Sequence, residues 1–498
     1  MNVNPITRLD YPDPDVIRVE DTYYMVSTTM HFMPGCEILQ SFDLVHWEHV
    51  TYVYETLDHT DAQQLKSGQN IYGQGMWAAS LRYHEGRFCI CFVANDTRKT
   101  YLYTSEKIDG PWKKQLIEGF YHDGSLLFDE DGRNYIVYGN DEIWITELNE
   151  DLTAPKKDGL HRLLVSDHKN PELGYEGSHI QKINGYYYIF LIHSLRDRWM
   201  RTEACFYSDS LEGEFTGGDV LCDDRGYCGQ GVAQGGIVDT PDGKWYAMLF
   251  QDSGAVGRIP ILLPVTWKDH FPFFGQNGHV PEEIEVHSTR PGYIYQPLVG
   301  SDDFCNGLLP RWQFNHDPDP RYYHLDALQG TYTITTREVC TELTQTVNTL
   351  TQRMSYPSCA AEVTVDASAL KEGDVAGLCA LQSCYAAVGI TKHHGKYEVL
   401  MLDKKEDGIL DMTEGTDVES HQMDFRLEAD FCNMKDEARC YYRVNKGDWL
   451  PIGTVHKLYF KLDHFTGCRF GLFCYAAEET GGSACFRDFK YYDVDEIS

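Results

Sequence analysis

Across residues 1–300 apolar and polar positions follow a strand-like rhythm, and helix-period patterns are scarce. Five segments align without gaps, starting at Asp13, Trp77, Asp123, Glu176 and Gln234. Four residues after each start stands an apolar side chain (Ile17, Leu81, Leu127, Ile180, Val238). Eight residues after it stands a turn former (Asp21, Glu85, Asp131, Asn184, Asp242), followed by Thr22, Gly86, Gly132, Gly185 and Gly243. Asn-Gly and Asp-Gly pairs predict tight hairpin turns, because both central residues need positive φ. Aromatic or β-branched runs come next, such as Tyr135-Ile136-Val137-Tyr138 and Tyr186-Tyr187-Tyr188-Ile189-Phe190.

The starts lie 64, 46, 53 and 58 residues apart. A hairpin consumes roughly 20 residues, so each unit has room for two further strands, the size of a propeller blade. The pattern predicts an all-β fold with a five-bladed β-propeller over residues 1–298. The alternative is a large β-sandwich whose hairpins resemble one another. Past Gly300 the repeat stops, and residues 301–498 show short alternating runs that predict an antiparallel sandwich. They include Ala361–Val365, Val375–Leu378, Tyr397–Met401 and Lys457–Leu462, with a turn at Asn445-Lys446-Gly447.

Charge narrows the partners. With 43 basic and 76 acidic residues the net charge is −33, which repels nucleic acid and anionic membrane surfaces. No apolar run approaches the roughly 18 residues of a membrane span. The N-terminus carries no basic segment followed by an apolar one, so a cytoplasmic location is expected. None of the 16 cysteines forms a Cys-x-x-Cys pair, and free, mostly buried thiols are expected.

The first repeat position starts an inner strand, and such positions converge on a propeller's axis. Three of the five are acids: Asp13, Asp123 and Glu176. Clustered carboxylates repel one another and point to chemistry more than to structure. An acid and a base flanking one bond are what glycoside hydrolysis requires.

The same residues carry a family resemblance. Tyr11-Pro12-Asp13-Pro14-Asp15, Ser41–Trp47, Met76-Trp77-Ala78-Ala79-Ser80-Leu81, His122-Asp123-Gly124-Ser125-Leu126 and Tyr175-Glu176-Gly177-Ser178-His179 resemble, in order, the motifs of glycoside hydrolase family 43. The resemblance implies an inverting enzyme of β-xylosidase or α-L-arabinofuranosidase type. It makes Asp13 the general base, Glu176 the general acid, and Asp123 the acid that orients Glu176 and keeps it protonated. It also implies substrate contacts by Trp77 as an aromatic floor, by Arg258 beside Glu176 and Asp123, and by Phe32 near the pocket. Where the family usually has Gly-His-Gly, this chain reads Ala233-Gln234-Gly235-Gly236. Gln234 is expected among the substrate contacts; it can bind water but not titrate, which argues against a histidine-held metal in the channel.

The second half resembles the concanavalin-like sandwich of the family's xylosidase branch. There a sandwich loop closes the pocket, and His464-Phe465-Thr466-Gly467 resembles it, with Phe465 as its substrate contact. The resemblance also implies a structural calcium at Asp303 and Asp488, since oxygen ligands suit that ion; no cofactor is implied for the chemistry. Together these expectations describe an exo-acting inverting hydrolase for terminal L-arabinofuranosyl or D-xylosyl units of hemicellulose-derived oligosaccharides. A non-catalytic carbohydrate-binding propeller and a retaining fructosidase-like enzyme are the alternatives. The choice of pentose and any self-association stay open.

Overall fold

The structure is a computed structural model, described for residues 2–413 and 415–493. Five four-stranded antiparallel sheets follow one another in sequence. Their innermost strands are Asp15–Val19, Met76–His84, Ser125–Phe128, Glu176–Ile183 and Val232–Asp239. Each is the first strand of its unit, as the repeat requires. The innermost strands of the first and fifth blades pack together, and Asn2–Val3 pairs with Glu283–Ile284 beyond blade five. The ring is therefore closed and every blade has two neighbours, so the all-β propeller stands.

The turns differ partly from expectation. Glu85-Gly86 and Asn184-Gly185 are two-residue turns with φ of 48°, 78°, 51° and 85°, joining His84 to Arg87 and Ile183 to Tyr186. In blades three and five the first and second strands pair only as far as Phe128↔Asn134 and Asp239↔Trp245. The intervening five residues form longer loops, closed by Gly132 N–H to Asp129 O at 3.0 Å and Gly243 N–H to Thr240 O at 2.9 Å. One positive-φ glycine suffices in each.

A second irregularity aims the site. Register slips between Trp77 and Ser80, Glu176 and His179, and Ala233 and Gly236. At the five repeat starts a residue takes positive φ: Asp13 (53°), Ala78 (25°), Asp123 (48°), Gly177 (65°) and Gln234 (62°). Bulges of this kind bend a strand and re-aim its side chains. Here they sit where each inner strand meets the propeller mouth.

The C-terminal half is a two-sheet sandwich. One sheet runs Tyr323–Asp326, Thr331–Thr335, Ser483–Asp493, Ser358–Asp366, Gln422–Asp430, Glu437–Arg443 and Leu450–Lys457. The other includes Lys396–Lys404, Ala386–His393, Val375–Leu381, Arg469–Tyr475, Leu350–Arg353 and Gln313–Asn315. Between them lies an apolar core that includes Leu378, Val388, Phe425, Leu472 and Phe486. Asn445 and Lys446 take φ of 51° and 58°, the tight turn expected there. Lys457–Leu462 is not a strand. The edge strand of its sheet ends at Lys457; Leu458 stays in the sandwich core, and the chain then leaves the sheet, so that Phe460 and Leu462 line the pocket.

The two halves share a strand pair. Phe32–Met33 of blade one adds to the sandwich sheet through Met33↔Phe314 and Phe32↔Asn315. The seam is also ionic and buried. Arg353 Nη1 meets Glu37 Oε2 at 2.9 Å and its guanidinium carbon lies 4.1 Å from the Tyr11 ring centroid.

Candidate active site

At the propeller mouth opens a cavity of about 660 Å³, lined by Asp13, Trp77, Asp123, Glu176, Gln234 and Arg258 among others. All five repeat starts thus face one space. The sandwich supplies a wall with Phe460, Lys461, Leu462, Phe465 and Met434. Trp77 and Phe465 face each other at 5.4 Å between ring centroids.

Asp13 is buried and has two polar partners. Thr28 Oγ1 donates to Oδ2 at 2.5 Å, and Arg258 Nη1 donates to Oδ1 at 3.1 Å. Thr28 is itself fixed, because its Oγ1 accepts from Ala78 N at 2.8 Å. Arg258 therefore belongs to Asp13, not to Glu176 and Asp123 as expected. Its strand starts on the Asp13 side of the mouth, and its guanidinium lies over Phe465, 4.3 Å from the centroid. A planar cation suits both contacts.

Glu176 and Asp123 form a second group with His122. His122 Nε2 lies 3.5 Å from Asp123 Oδ2 and 3.6 Å from Glu176 Oε2. Asn140 Nδ2 donates to Glu176 Oε2 at 2.7 Å. Asp123 Oδ2 accepts from Gly177 N at 2.9 Å, so it grips the backbone beside Glu176. The Asp123 charge, aided by a hydrogen bond and charge from Glu176, pushes the His122 imidazole up to about 9. Burial, reinforced by the charges of Glu176 and Asp13, raises the Asp123 carboxyl to about 6, against the pull of His122. An imidazolium thus shares the pocket with two acids. The ligand atoms of His122, Asp123 and Glu176 all lie within 4.8 Å of one another, but a protonated imidazole offers no lone pair to a metal.

Beneath the acids the channel is filled. Arg82 Nη1 and His179 Nδ1 hold Asp15 at 2.7 and 3.1 Å. Burial opposes the Asp15 charge, yet Arg82 and His179 keep its carboxyl below the usual range. Gln234 packs on Gly177, where an added Cβ would stand 2.7 Å from its side chain. Its N–H donates to Glu203 Oε2 at 2.7 Å. Glu203 is fully buried, and that burial raises it well above the ordinary range.

Phe32 does not line the pocket. It is fully buried, fixed in the strand pair with Asn315, and covered by the Arg469 guanidinium at 3.5 Å. Its aromatic character serves the seam. Asp303 and Asp488 do share a cleft with Ser301, Asn306 and Lys490, but they do not fit a calcium shell. That ion takes six to eight oxygens. Both carboxylates are exposed, Asp303 Oδ1 already accepts from Cys305 N at 2.9 Å, and Lys490 adds a cation. Neighbouring Asp302 is engaged by Phe304 N and Trp312 Nε1, each at 2.8 Å.

Sequence reasoning gave no role to His122, Asn140, Thr28 or Arg201. His122 was adjacent to a candidate acid and could have been weighed. Asn140 ends a strand of blade three and Thr28 follows a strand of blade one, with no local signal. Arg201 lines the pocket and pairs with Asp252 at 2.9 Å, on the rim near the half-exposed Trp199.

Comparison with known proteins agrees with this architecture. The sequence profile of glycosyl hydrolases family 43 matches residues 3–272, and that of the β-xylosidase C-terminal concanavalin A-like domain matches residues 301–492. A β-xylosidase of Formosa agariphila is 26% identical over 99% of this chain and 89% of its own. A non-reducing-end α-L-arabinofuranosidase of Bacteroides ovatus is 25% identical over 66% of this chain and 63% of its own. Among solved structures, a bifunctional GH43-CE protein of Bacteroides eggerthii superposes with a TM-score of 0.92 at 42% identity. It covers 99% of this chain, which spans only 63% of that protein's length. With the family profile extending over 3–272 of its 498 residues, the chain belongs to glycosyl hydrolases family 43 and is a glycoside hydrolase.

Proposed function

We propose that this hydrolase is exo-acting and inverting, and that it releases terminal α-L-arabinofuranosyl or β-D-xylosyl units from hemicellulose-derived oligosaccharides. The observation that carries the proposal is the division of the pocket's acids. Asp13 is held by a cation and a hydroxyl on one side, and Glu176 by His122 and Asn140 on the other.

In this proposal Asp13 takes a proton from the attacking water while Arg258 and Thr28 fix its carboxylate. Glu176 gives a proton to the leaving oxygen. Asp123 positions Glu176 through the Gly177 N–H and retains His122 as a charged neighbour. Trp77 and Phe465, in contact with each other, form one aromatic surface for the terminal ring. The wall of Phe460, Leu462 and Phe465 favours a chain end over a mid-chain segment. Names of relatives support both pentoses. No cofactor enters the chemistry. The cytoplasmic location expected from the sequence belongs to the same proposal, and fractionation of source cells tests it.

Side-by-side hydrolysis of nitrophenyl α-L-arabinofuranoside and β-D-xylopyranoside tests the activity. Release from either supports the proposal and ranks the sugars. Release from neither, with sugar binding retained, favours the non-catalytic propeller.

A further inference from the structure

Three residues before Asp13 stands another buried acid with a different set of partners. Asp10 Oδ1 accepts from Arg258 N at 2.7 Å. Its Oδ2 accepts from Gly467 N at 2.8 Å, and its main-chain oxygen accepts from Arg353 Nε at 2.9 Å. One carboxylate thus joins the blade-five turn that carries Arg258 to the sandwich loop that carries Phe465.

Both segments are shaped for it. Gly257 has φ of 107°, and a Cβ there would stand 2.3 Å from Asp10 Oδ1. A Cβ on Gly467 would stand 2.1 Å from Val256 O and 2.7 Å from Asp10 Cβ. Any side chain at either position would push the segments off the carboxylate. Cys468 N donates to Ala255 O at 2.8 Å, continuing the contact along both chains. The far ends of the two segments then meet in the pocket. Arg258 Nη1 reaches Asp13, and its Nη2 reaches Phe465 O at 3.4 Å. Asp10, Arg258, Phe465 and Gly467 form a closed circuit of contacts with Asp13 at its edge.

We propose that Asp10 is a positioning residue that locks the sandwich loop onto the propeller and thereby sets the Arg258 guanidinium against Asp13. The sandwich then contributes to the base side of the site and not only to the pocket wall. This rests on the proposed function for its kinetic consequence, but not for its structural one.

The test is a double-mutant cycle on kcat/KM with Asp10→Asn, Phe465→Ala and the pair, joined to limited trypsin digestion. Asparagine keeps the shape and one oxygen, so one N–H loses its acceptor. Asp10→Asn is expected to lower kcat/KM about ten- to hundredfold, in keeping with the loss of a hydrogen bond to a charged acceptor. The double variant should lose less than the product of the two single losses, because the Phe465 ring packs on the same Arg258 guanidinium that Asp10 positions. Losses that multiply, or an unchanged kcat/KM in Asp10→Asn, would overturn the proposal. Trypsin reads the loop without activity. Cleavage after Lys461 should accelerate at least about tenfold in Asp10→Asn, as hydrogen-bond loss of that size opens the loop. Cleavage at the wild-type rate would overturn the proposal even if neither glycoside is a substrate. If Asp10→Asn does not fold, Asp10→Ser, which keeps one acceptor oxygen, takes its place in both assays.

Discussion

His464 sits beside the pocket's Phe465 in a ring cluster of the seam where a charge on it would be buried without a hydrogen-bond partner. His31, His316 and His464 meet there with Tyr72. Ring centroids lie 4.8 Å apart for His31–His316, 5.0 Å for His31–His464 and 5.0 Å for the stacked Tyr72–His464 pair. Neither nitrogen of His464 has a hydrogen-bond partner. Burial pulls its imidazole down to about 3, with Asp463 opposing and Arg469 assisting. The unfolded chain holds an ordinary histidine near 6.5, so it binds a proton before the folded chain does. The contribution to stability is therefore complete above about pH 6.5 and is lost progressively as pH falls toward 3. At pH 5 the loss is about 1.5 pH units at about 1.4 kcal/mol each, or about 2 kcal/mol. His464→Phe keeps the ring and removes the proton site, at no cost in hydrogen bonds. Between pH 7.5 and pH 5 its unfolding midpoint should fall less than that of wild type by about 4–8 °C, taking 2–4 °C per kcal/mol for a domain of this size. Asp123, Asp374 and Asp436, each raised by burial to about 6, act in the opposite sense but equally in both proteins. Thermal scans at the two pH values measure the difference. Equal acid losses in the two proteins would refute the reasoning.

Glu176→Ala should lose about 10²–10⁴ in rate on xylo- or arabino-oligosaccharides, and much less on nitrophenyl glycosides, whose leaving group needs little protonation. Equal losses on both would contradict its role as acid. Asp13→Ala should abolish turnover of both kinds of substrate, and substantial residual hydrolysis would remove it as base. Since the charge of Asp123 raises His122 to about 9, the imidazolium is present below that pH and is lost as pH rises through it. Activity should then show a loss near pH 9, separate from the deprotonation of the acid Glu176, and His122→Asn should lack that step in a kcat/KM profile; an identical step in the variant would contradict this. Trp199, 47% exposed on the rim, should matter for the leaving sugar. Trp199→Ala is expected to raise KM severalfold for disaccharides, as stacking loss of about 1 kcal/mol implies, while leaving KM for nitrophenyl glycosides within twofold.

Much of this architecture was legible because one repeat sets both fold and site. The same first position that starts each inner strand also faces the mouth, so Asp13, Asp123 and Glu176 were found by alignment of hairpins alone. What escaped depends on partners distant in sequence. Arg258 sits 245 residues from Asp13, and no local pattern says which acid it meets. Phe32 lies where the family resemblance implies an aromatic near the pocket, yet strand pairing with Asn315 turns it into the seam. Lys457–Leu462 alternates like a strand, but after Leu458, which stays in the sandwich core, Phe460 and Leu462 turn to the pocket. Asp10 lies in a segment with no repeat partner, and its role exists only once the sandwich loop is docked.

The most direct measurement is the anomeric form of the first product, followed by proton NMR, on whichever of the two glycosides wild type cleaves. A single displacement by water held at Asp13 predicts the inverted anomer first, with Asp13→Ala giving none. The retained anomer first would make Asp13 a nucleophile and contradict the inverting mechanism.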